Sequence, residues 1–432
     1  MICRGGRTVF NDYVDEGKWE FRGEDTKEYT HCFHIYPAMM IPQIARRLIE
    51  LYGKKEDFLF DPYCGTGTSL VEGRLAGMSV AGTDLNPTAR LISLAKSDDY
   101  DRTTYSLDGA VHKFVDGLEQ KLSELSEDYR SFPEPTNVTF ERLEDWFPKR
   151  SITEVSFCLE KIESLETSTI NRNFLLVALS ECLRLISFQR NGEFKLYRIQ
   201  ESKRPQHYVP LYGLLKNRID RNVEGVRKFM SKTTDGTSSE IHSFNTVEEN
   251  GKILLKRRPN IVITSPPYGD SGTTVAYAQF SWLTNVWFGL DSRSPGALDR
   301  ELMGGRRSEI KSFGFEPMDT AIAAIANEDE KRASEVVNFF SEYLASMHNV
   351  ADLVVPKGHV CYVVGNRTVK GIQLPTDQFT AWAFAEAGFE YLKTHIREIP
   401  NKRMPSRNSP TNVAGKTSKT MHNEYIVILR KN

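Results

Sequence analysis

The stretch from Asp57 to Leu94 constrains the fold of this 432-residue chain more than any other. Asp57-Phe58-Leu59-Phe60-Asp61 is a short apolar run that ends in an acid and breaks into a glycine turn at Gly65 and Gly67. Apolar spacing turns helical from Ser69 to Ala76. Met78 to Thr83 is a second short strand, Asp84 stands at its tip, and Pro87 opens a helix through Leu94. Strand, turn, helix, strand, acid, helix is the opening of a βαβ unit, because parallel strands need a crossover and a helix is the usual one.

The surrounding chain extends this frame. Residues 38–53 space apolar side chains three and four apart and predict an amphipathic helix. Residues 100–235 read as mainly helical, with one-sided apolar periodicity from Ser151 to Leu165 and from Asn173 to Ser187. Strand signals return from Ile241 and recur at 260–264, 359–364, 389–396 and 424–429. The stretch 270–345 reads as a long connection, part loop and part helix. The simplest organisation is one α/β domain, residues 1–99 and 236–432, interrupted by a helical insertion at 100–235. No internal repeat is visible.

Charge and cysteine usage narrow the function classes. A formal net charge of −1 means that any nucleic-acid contact must come from a local basic surface. The six cysteines are scattered without a Cys-x-x-Cys pair, which favours free thiols over disulfides or structural zinc. His31, Cys32 and His34 are too crowded, and too isolated from other ligands, to suit zinc, so no metal is expected. Neither a leader segment nor an apolar stretch of membrane-spanning length is evident, which predicts a soluble cytoplasmic protein without a membrane partner.

Two constellations carry chemistry. In Asp61-Pro62-Tyr63-Cys64-Gly65-Thr66-Gly67-Thr68 the glycines let the backbone turn tightly and approach a ligand that a Cβ would strike. Asp84 is placed to accept hydrogen bonds from ribose hydroxyls. Gly-x-Gly-x-x-Gly is absent and no phosphate-loop lysine follows, so a nucleoside cofactor without phosphates fits best. S-adenosylmethionine is such a cofactor, and Asp61 would hold its ammonium. The bland alternative is a structural turn with a helix-capping acid.

The second constellation is Thr264-Ser265-Pro266-Pro267-Tyr268, directly after an apolar run. Consecutive prolines cannot join a ladder and turn their carbonyls outward. A base amino group is a poor nucleophile because its lone pair is delocalised. Acceptors for both of its hydrogens, the Ser265 hydroxyl and the Pro266 carbonyl, would help the nitrogen become tetrahedral, while Tyr268 stacks on an extruded base. No Pro-Cys nucleophile is present, which argues against methylation at C5 of cytosine.

Together these two motifs strongly resemble the amino-methylating DNA methyltransferases, which modify N4 of cytosine or N6 of adenine. Thr30-His31-Cys32-Phe33-His34-Ile35-Tyr36-Pro37-Ala38 resembles the family's cofactor-contacting leader, and Asp84-Leu85-Asn86-Pro87 its second-strand acid. The resemblance implies a Rossmann-like S-adenosylmethionine-dependent methyltransferase fold with a mostly parallel sheet. It implies cofactor binding by Tyr36, Pro37, Asp61, Tyr63, Cys64, Gly65, Thr66, Gly67, Thr68, Asp84 and Asn86, with catalysis by Ser265, Pro266, Pro267 and Tyr268. In this family a tetrapeptide beginning with Ser goes more often with N4 of cytosine, and one beginning with Asp or Asn with N6 of adenine. DNA and S-adenosylmethionine are the implied partners, and a cognate restriction endonuclease is a further one that such enzymes take. Methylation of an RNA base or a protein glutamine, or a silent DNA-binding scaffold, stand as alternatives.

Other segments suggest how a neutral chain would hold DNA. Between Arg190 and Lys232 there are eleven Lys and Arg against four acids, interleaved with Phe194, Tyr197, Tyr208 and Tyr212. Between Arg397 and Lys419 there are six basic residues against one acid. Arg306 and Arg307 could enter a groove or form a surface turn, and Trp282, Trp287 and Phe288 read as core. On the cofactor side, where the interval between Asp84 and Ser265 hides any third-strand acid, Asn245 is a candidate for an adenine contact or an ordinary turn residue.

Overall fold

A computed structural model describes residues 10–15, 17–100, 106–127, 143–190, 194–249, 251–252, 254–269, 275–399, 407–408, 418–419 and 422–432. Its centre is an eight-stranded sheet. The strands are β1 (Tyr13–Val14), β2 (Phe58–Asp61), β3 (Ser79–Thr83), β4 (Ser239–His242), β5 (Ile261–Thr264), β6 (His359–Val364), β7 (Phe389–Glu398) and β8 (Asn423–Lys431). Their spatial order is β1-β7-β8-β6-β5-β2-β3-β4. Pairings from β6 through β5, β2 and β3 to β4 are all parallel, whereas β8 runs antiparallel to both β6 and β7. The mostly parallel α/β sheet expected from the sequence is present. The edge strand β1 carries too few residues to leave a periodic signal and was not anticipated.

The central strands are covered on both faces, so their side chains alternate between two cores instead of between core and water. Phe58, Phe60, Val262 and Val360 face the core built with α11 (Glu316–Glu328), α12 (Glu330–Leu353) and α13 (Thr376–Glu386). Leu59, Val80, Ile261 and Ile263 face the core built with α1 (Pro42–Tyr52) and α2 (Thr68–Leu75). Helix α3 (Pro87–Ser97) starts at Pro87, whose missing N–H costs nothing at that position, and Asn86 caps it by accepting from the Thr88 amide at 3.2 Å.

Between α3 and β4 lie α4 (Leu107–Val115), α5 (Leu118–Glu127), α6 (Lys149–Ser164), α7 (Thr169–Ile186) and α8 (Leu211–Lys232). They share a third core with α3 and with α9 (Tyr277–Trp287). Trp287 is buried in it, and Trp282 packs edge-on against Trp146. The stretch 270–345 is more helical than expected: α9, α10 (Pro295–Glu301), α11 and most of α12 fall within it. Asp329 accepts from the Arg332 amide and starts the long α12. Among the described residues no helix is long and apolar enough to cross a membrane.

Candidate active site

Strands β2, β3 and β4 are laid down in one direction from the middle of the sheet, and β5 and β6 in the other. The order therefore reverses between β2 and β5, which pair through Leu59 with Ile261 and Phe60 with Val262. Open α/β sheets bind ligands in the crevice beyond the strand ends at such a point. Both motif turns emerge there, and a hydrogen bond joins them: Thr264 Oγ1 donates to Asp61 Oδ1 at 2.6 Å.

Asp61 is nearly inaccessible and gathers three donors, the Thr264 and Ser69 hydroxyls and the Tyr63 amide. Burial nevertheless dominates and pushes its carboxyl up to about 6. With four acceptor sites on a carboxylate, one remains for a ligand. Asp84 takes the Gly65 amide on Oδ2 at 3.0 Å and the Asn86 amide on Oδ1 at 2.7 Å, and burial raises its carboxyl as well. The acid at the tip of β3 thus fixes the glycine turn after β2 before any ligand arrives.

The two glycines differ in what they permit. Gly65 has φ +49° and open space where a Cβ would stand. Gly67 has φ +78°, and a Cβ there would lie 2.5 Å from Ser93 Oγ on α3. The collision expected with a ligand is, at Gly67, a collision with the chain's own helix. Cys64 is buried and its thiol is held well above the usual range, so it is a packing group and not a nucleophile.

A single cavity takes in Tyr36, Pro37, Asp61, Tyr63, Cys64, Gly65, Thr66, Thr68, Asp84, Asn86, Ser265 and Pro267. Gly67 is absent from this wall because it faces α3. Tyr36 stacks on Tyr277, and its hydroxyl accepts from Asn86 Nδ2 at 2.9 Å. That nitrogen also reaches Ser281 Oγ at 2.8 Å, so Asn86 is committed to its own chain as cap and brace. Tyr63 donates to Ser346 on α12.

Pro266 is buried behind Ser265 and Pro267, and Tyr268 is half-buried instead of standing free at the cavity mouth. Its phenol accepts from Ser265 Oγ at 3.2 Å and donates to Glu424 Oε1 at 2.9 Å. Asn245 lies in the cavity wall with Phe244, Thr246 and Val247, but its Oδ1 accepts from the Val247 amide as in an ordinary turn.

Of the far wall, only Arg306 was singled out in the sequence. Arg300, Leu302, Met303, Arg306 and Glu342 complete the cavity. Glu342 on α12 accepts from the Gly304 amide at 2.7 Å and thereby ties this loop to the core. Only the pair Gly304-Gly305 before Arg306 hinted at a turn. Arg306 is exposed and has no ion pair among the described residues, whereas Arg307 pairs with Glu335.

The basic stretches are less available than their counts suggest. Arg218 and Arg221 share Glu181, Lys216 pairs with Asp220, Arg227 with Asp108 and Lys228 with Glu224. Arg397, expected on a phosphate-contacting loop, is buried, donating to Glu424 and to the Trp19 carbonyl. Most of 397–419 lies outside the described residues. His31 meets Glu72 at 2.9 Å and His34 meets the Ile35 carbonyl at 2.7 Å. No group of three or more potential ligands is placed to hold a metal among the described residues.

Residues 27–123 match the RMKL-like methyltransferase domain family, UPF0020. The type II methyltransferase M.MvaI of Kocuria varians is 34% identical over 428 residues, spanning 95% of this chain and 93% of that protein. M.MjaII of Methanocaldococcus jannaschii is 21% identical over 325 residues, covering 57% and 60% of the two chains. M.BsoBI of Geobacillus stearothermophilus is 24% identical over 271 residues, covering 55% and 49%.

Proposed function

The chain belongs to the type II DNA methyltransferases, and from that premise we propose that it methylates the exocyclic N4 amino group of cytosine in DNA. S-adenosylmethionine is its methyl donor and, when bound, supplies an electrophilic methyl on a sulfonium. The cavity suits that molecule: Thr66 Oγ1 is buried there without a partner, and two desolvated carboxylates face the same space. Asp61 takes the ammonium on its remaining acceptor site, Asp84 takes the ribose hydroxyls, and Thr66 is free for a further polar contact.

On the substrate side, Ser265 Oγ and the Pro266 carbonyl accept the two amino hydrogens and draw the nitrogen toward a tetrahedral shape. The protein's contribution is then positioning, with no covalent intermediate. The observation that carries this reading is the hydrogen bond from Thr264 to Asp61, which ties the turn beginning at Ser265 to the carboxylate facing the cofactor space. An extruded base is required, because the amino group inside a duplex cannot reach this cavity.

DNA is held, in this reading, by side chains around the mouth. Arg300 and Arg306 supply phosphate contacts from one side. On the other, Phe194 and Tyr197 are exposed, and Phe194 packs on Phe280, which in turn packs on Tyr36 of the cavity wall. The helical stretch 100–235, together with 397–419, carries target recognition. A restriction endonuclease of the same specificity is the expected companion.

The alternative is N6 of adenine, for which the same acceptors serve. Incubation with methyl-tritiated S-adenosylmethionine and DNA, then digestion to nucleosides, separates the two. Label in N4-methyldeoxycytidine supports the proposal, and label confined to N6-methyldeoxyadenosine replaces it with the alternative.

A further inference from the structure

The hydrogen-bond pattern behind Ser265 has a direction. Glu424 on β8 stands opposite Arg397 on β7 in the antiparallel pair, and the two side chains form a largely buried ion pair through Arg397 Nη1 and Glu424 Oε2. Arg397 is fixed in turn by donating its Nε–H to the Trp19 carbonyl at 2.9 Å. The other oxygen, Glu424 Oε1, takes the Tyr268 hydroxyl at 2.9 Å. An ionised carboxylate accepts only, so the single phenolic hydrogen of Tyr268 points at Glu424. Tyr268 can then only accept from Ser265, whose hydroxyl lies 3.2 Å away. The one hydrogen of Ser265 is thereby committed away from the cavity.

We propose that Glu424, held by Arg397, is a positioning residue that sets this chain of hydrogen bonds so that Ser265 Oγ presents only lone pairs to the target amino group. The inference rests on the reading of the site as a base-amino methyltransferase centre, and it holds for N4 of cytosine and N6 of adenine alike. A hydroxyl left free to rotate would spend part of its time offering a hydrogen to a group that is itself a donor. Aligning it in advance removes that reorganisation from the reaction, as fixed dipoles do elsewhere in catalysis. None of the three side chains beyond Ser265 needs to change its ionisation for this to operate.

The test compares Tyr268→Phe and Glu424→Gln with their double variant, using wild-type nucleoside analysis to establish separately which base is methylated. A product other than an amino-methylated base would defeat the functional reading, whatever the variants do. The expectation is that each single substitution lowers kcat at least tenfold, while the Kd values for S-adenosylmethionine and for DNA stay within about twofold. The double variant should be no worse than the weaker single by more than about twofold, since either change already severs the chain. Tyr268→Phe retains the ring and decides the matter alone if Glu424→Gln fails to fold. A kcat within twofold of wild type in Tyr268→Phe, losses that multiply in the double variant, or losses that appear in Kd would each overturn the proposal.

Discussion

Gly67 and Ser93 approach so closely that a Cβ on Gly67 would lie 2.5 Å from the Ser93 hydroxyl and 3.2 Å from its Cβ. The turn after β2 is thus seated directly on α3, the helix that follows the second strand, and the two walls of the cofactor space are one packed unit. Gly67 also has φ +78° and caps α2 from the left-handed region. Gly67→Ala therefore combines backbone strain with a clash and should destabilise the protein by about 2–4 kcal/mol. Urea unfolding measures this. Adding Ser93→Gly should recover only part of the loss, because the strain remains.

The Asp61 carboxyl gives the site a pH dependence whose sign follows from its burial. Its value rises from 3.8 to about 6 on folding, so the folded chain holds this proton more tightly than the unfolded chain. The stability it confers is present in acid, is lost as pH rises from 3.8 to about 6, and does not change further above that. Cofactor binding runs the opposite way, because the ammonium needs the ionised form. Affinity for S-adenosylmethionine should fall by up to about tenfold per pH unit below 6. Calorimetric titration across pH 5 to 7 would show the fall in the wild type and a flat, weaker profile in Asp61→Asn.

Arg306 stands at the cavity mouth, exposed and without an ion pair among the described residues. Arg306→Ala should weaken DNA binding about three- to tenfold and reduce the salt dependence of log Kd by about one phosphate contact. Lys228→Ala, which removes a cation already paired with Glu224 on α8, should leave both nearly unchanged. Fluorescence anisotropy with a short duplex at several salt concentrations distinguishes the two. Equal effects would mean that the mouth is not where DNA lies.

Much of this was legible because the informative residues sit at strand ends. Apolar runs bounded by acids and glycines located β2 and β3, and a run closed by two prolines located β5, each to within a residue or two. Glu424 and Arg397 were not legible as partners, since only the antiparallel register of β7 and β8 sets them side by side. Counts of basic residues misled for a related reason. Sequence shows Arg218 and Arg221 as surface charge, while the fold turns both onto Glu181 of a neighbouring helix. The long α12 was not separated from the rest of 270–345, because the capping of its first turn by Asp329 depends on backbone geometry.

The central claim is that the turns following β2 and β5 form one centre with divided labour, the first for the cofactor and the second for the base. Single-turnover methyl transfer, measured beside equilibrium cofactor binding in Ser265→Ala and Asp84→Ala, tests it most directly. Ser265→Ala should lose roughly a hundredfold in rate with cofactor Kd within about twofold, as expected when a reacting-group contact is removed. Asp84→Ala should raise cofactor Kd about ten- to a hundredfold and regain much of its rate at saturating S-adenosylmethionine. Equal loss of cofactor affinity in both variants, with no separate effect on rate, would contradict it.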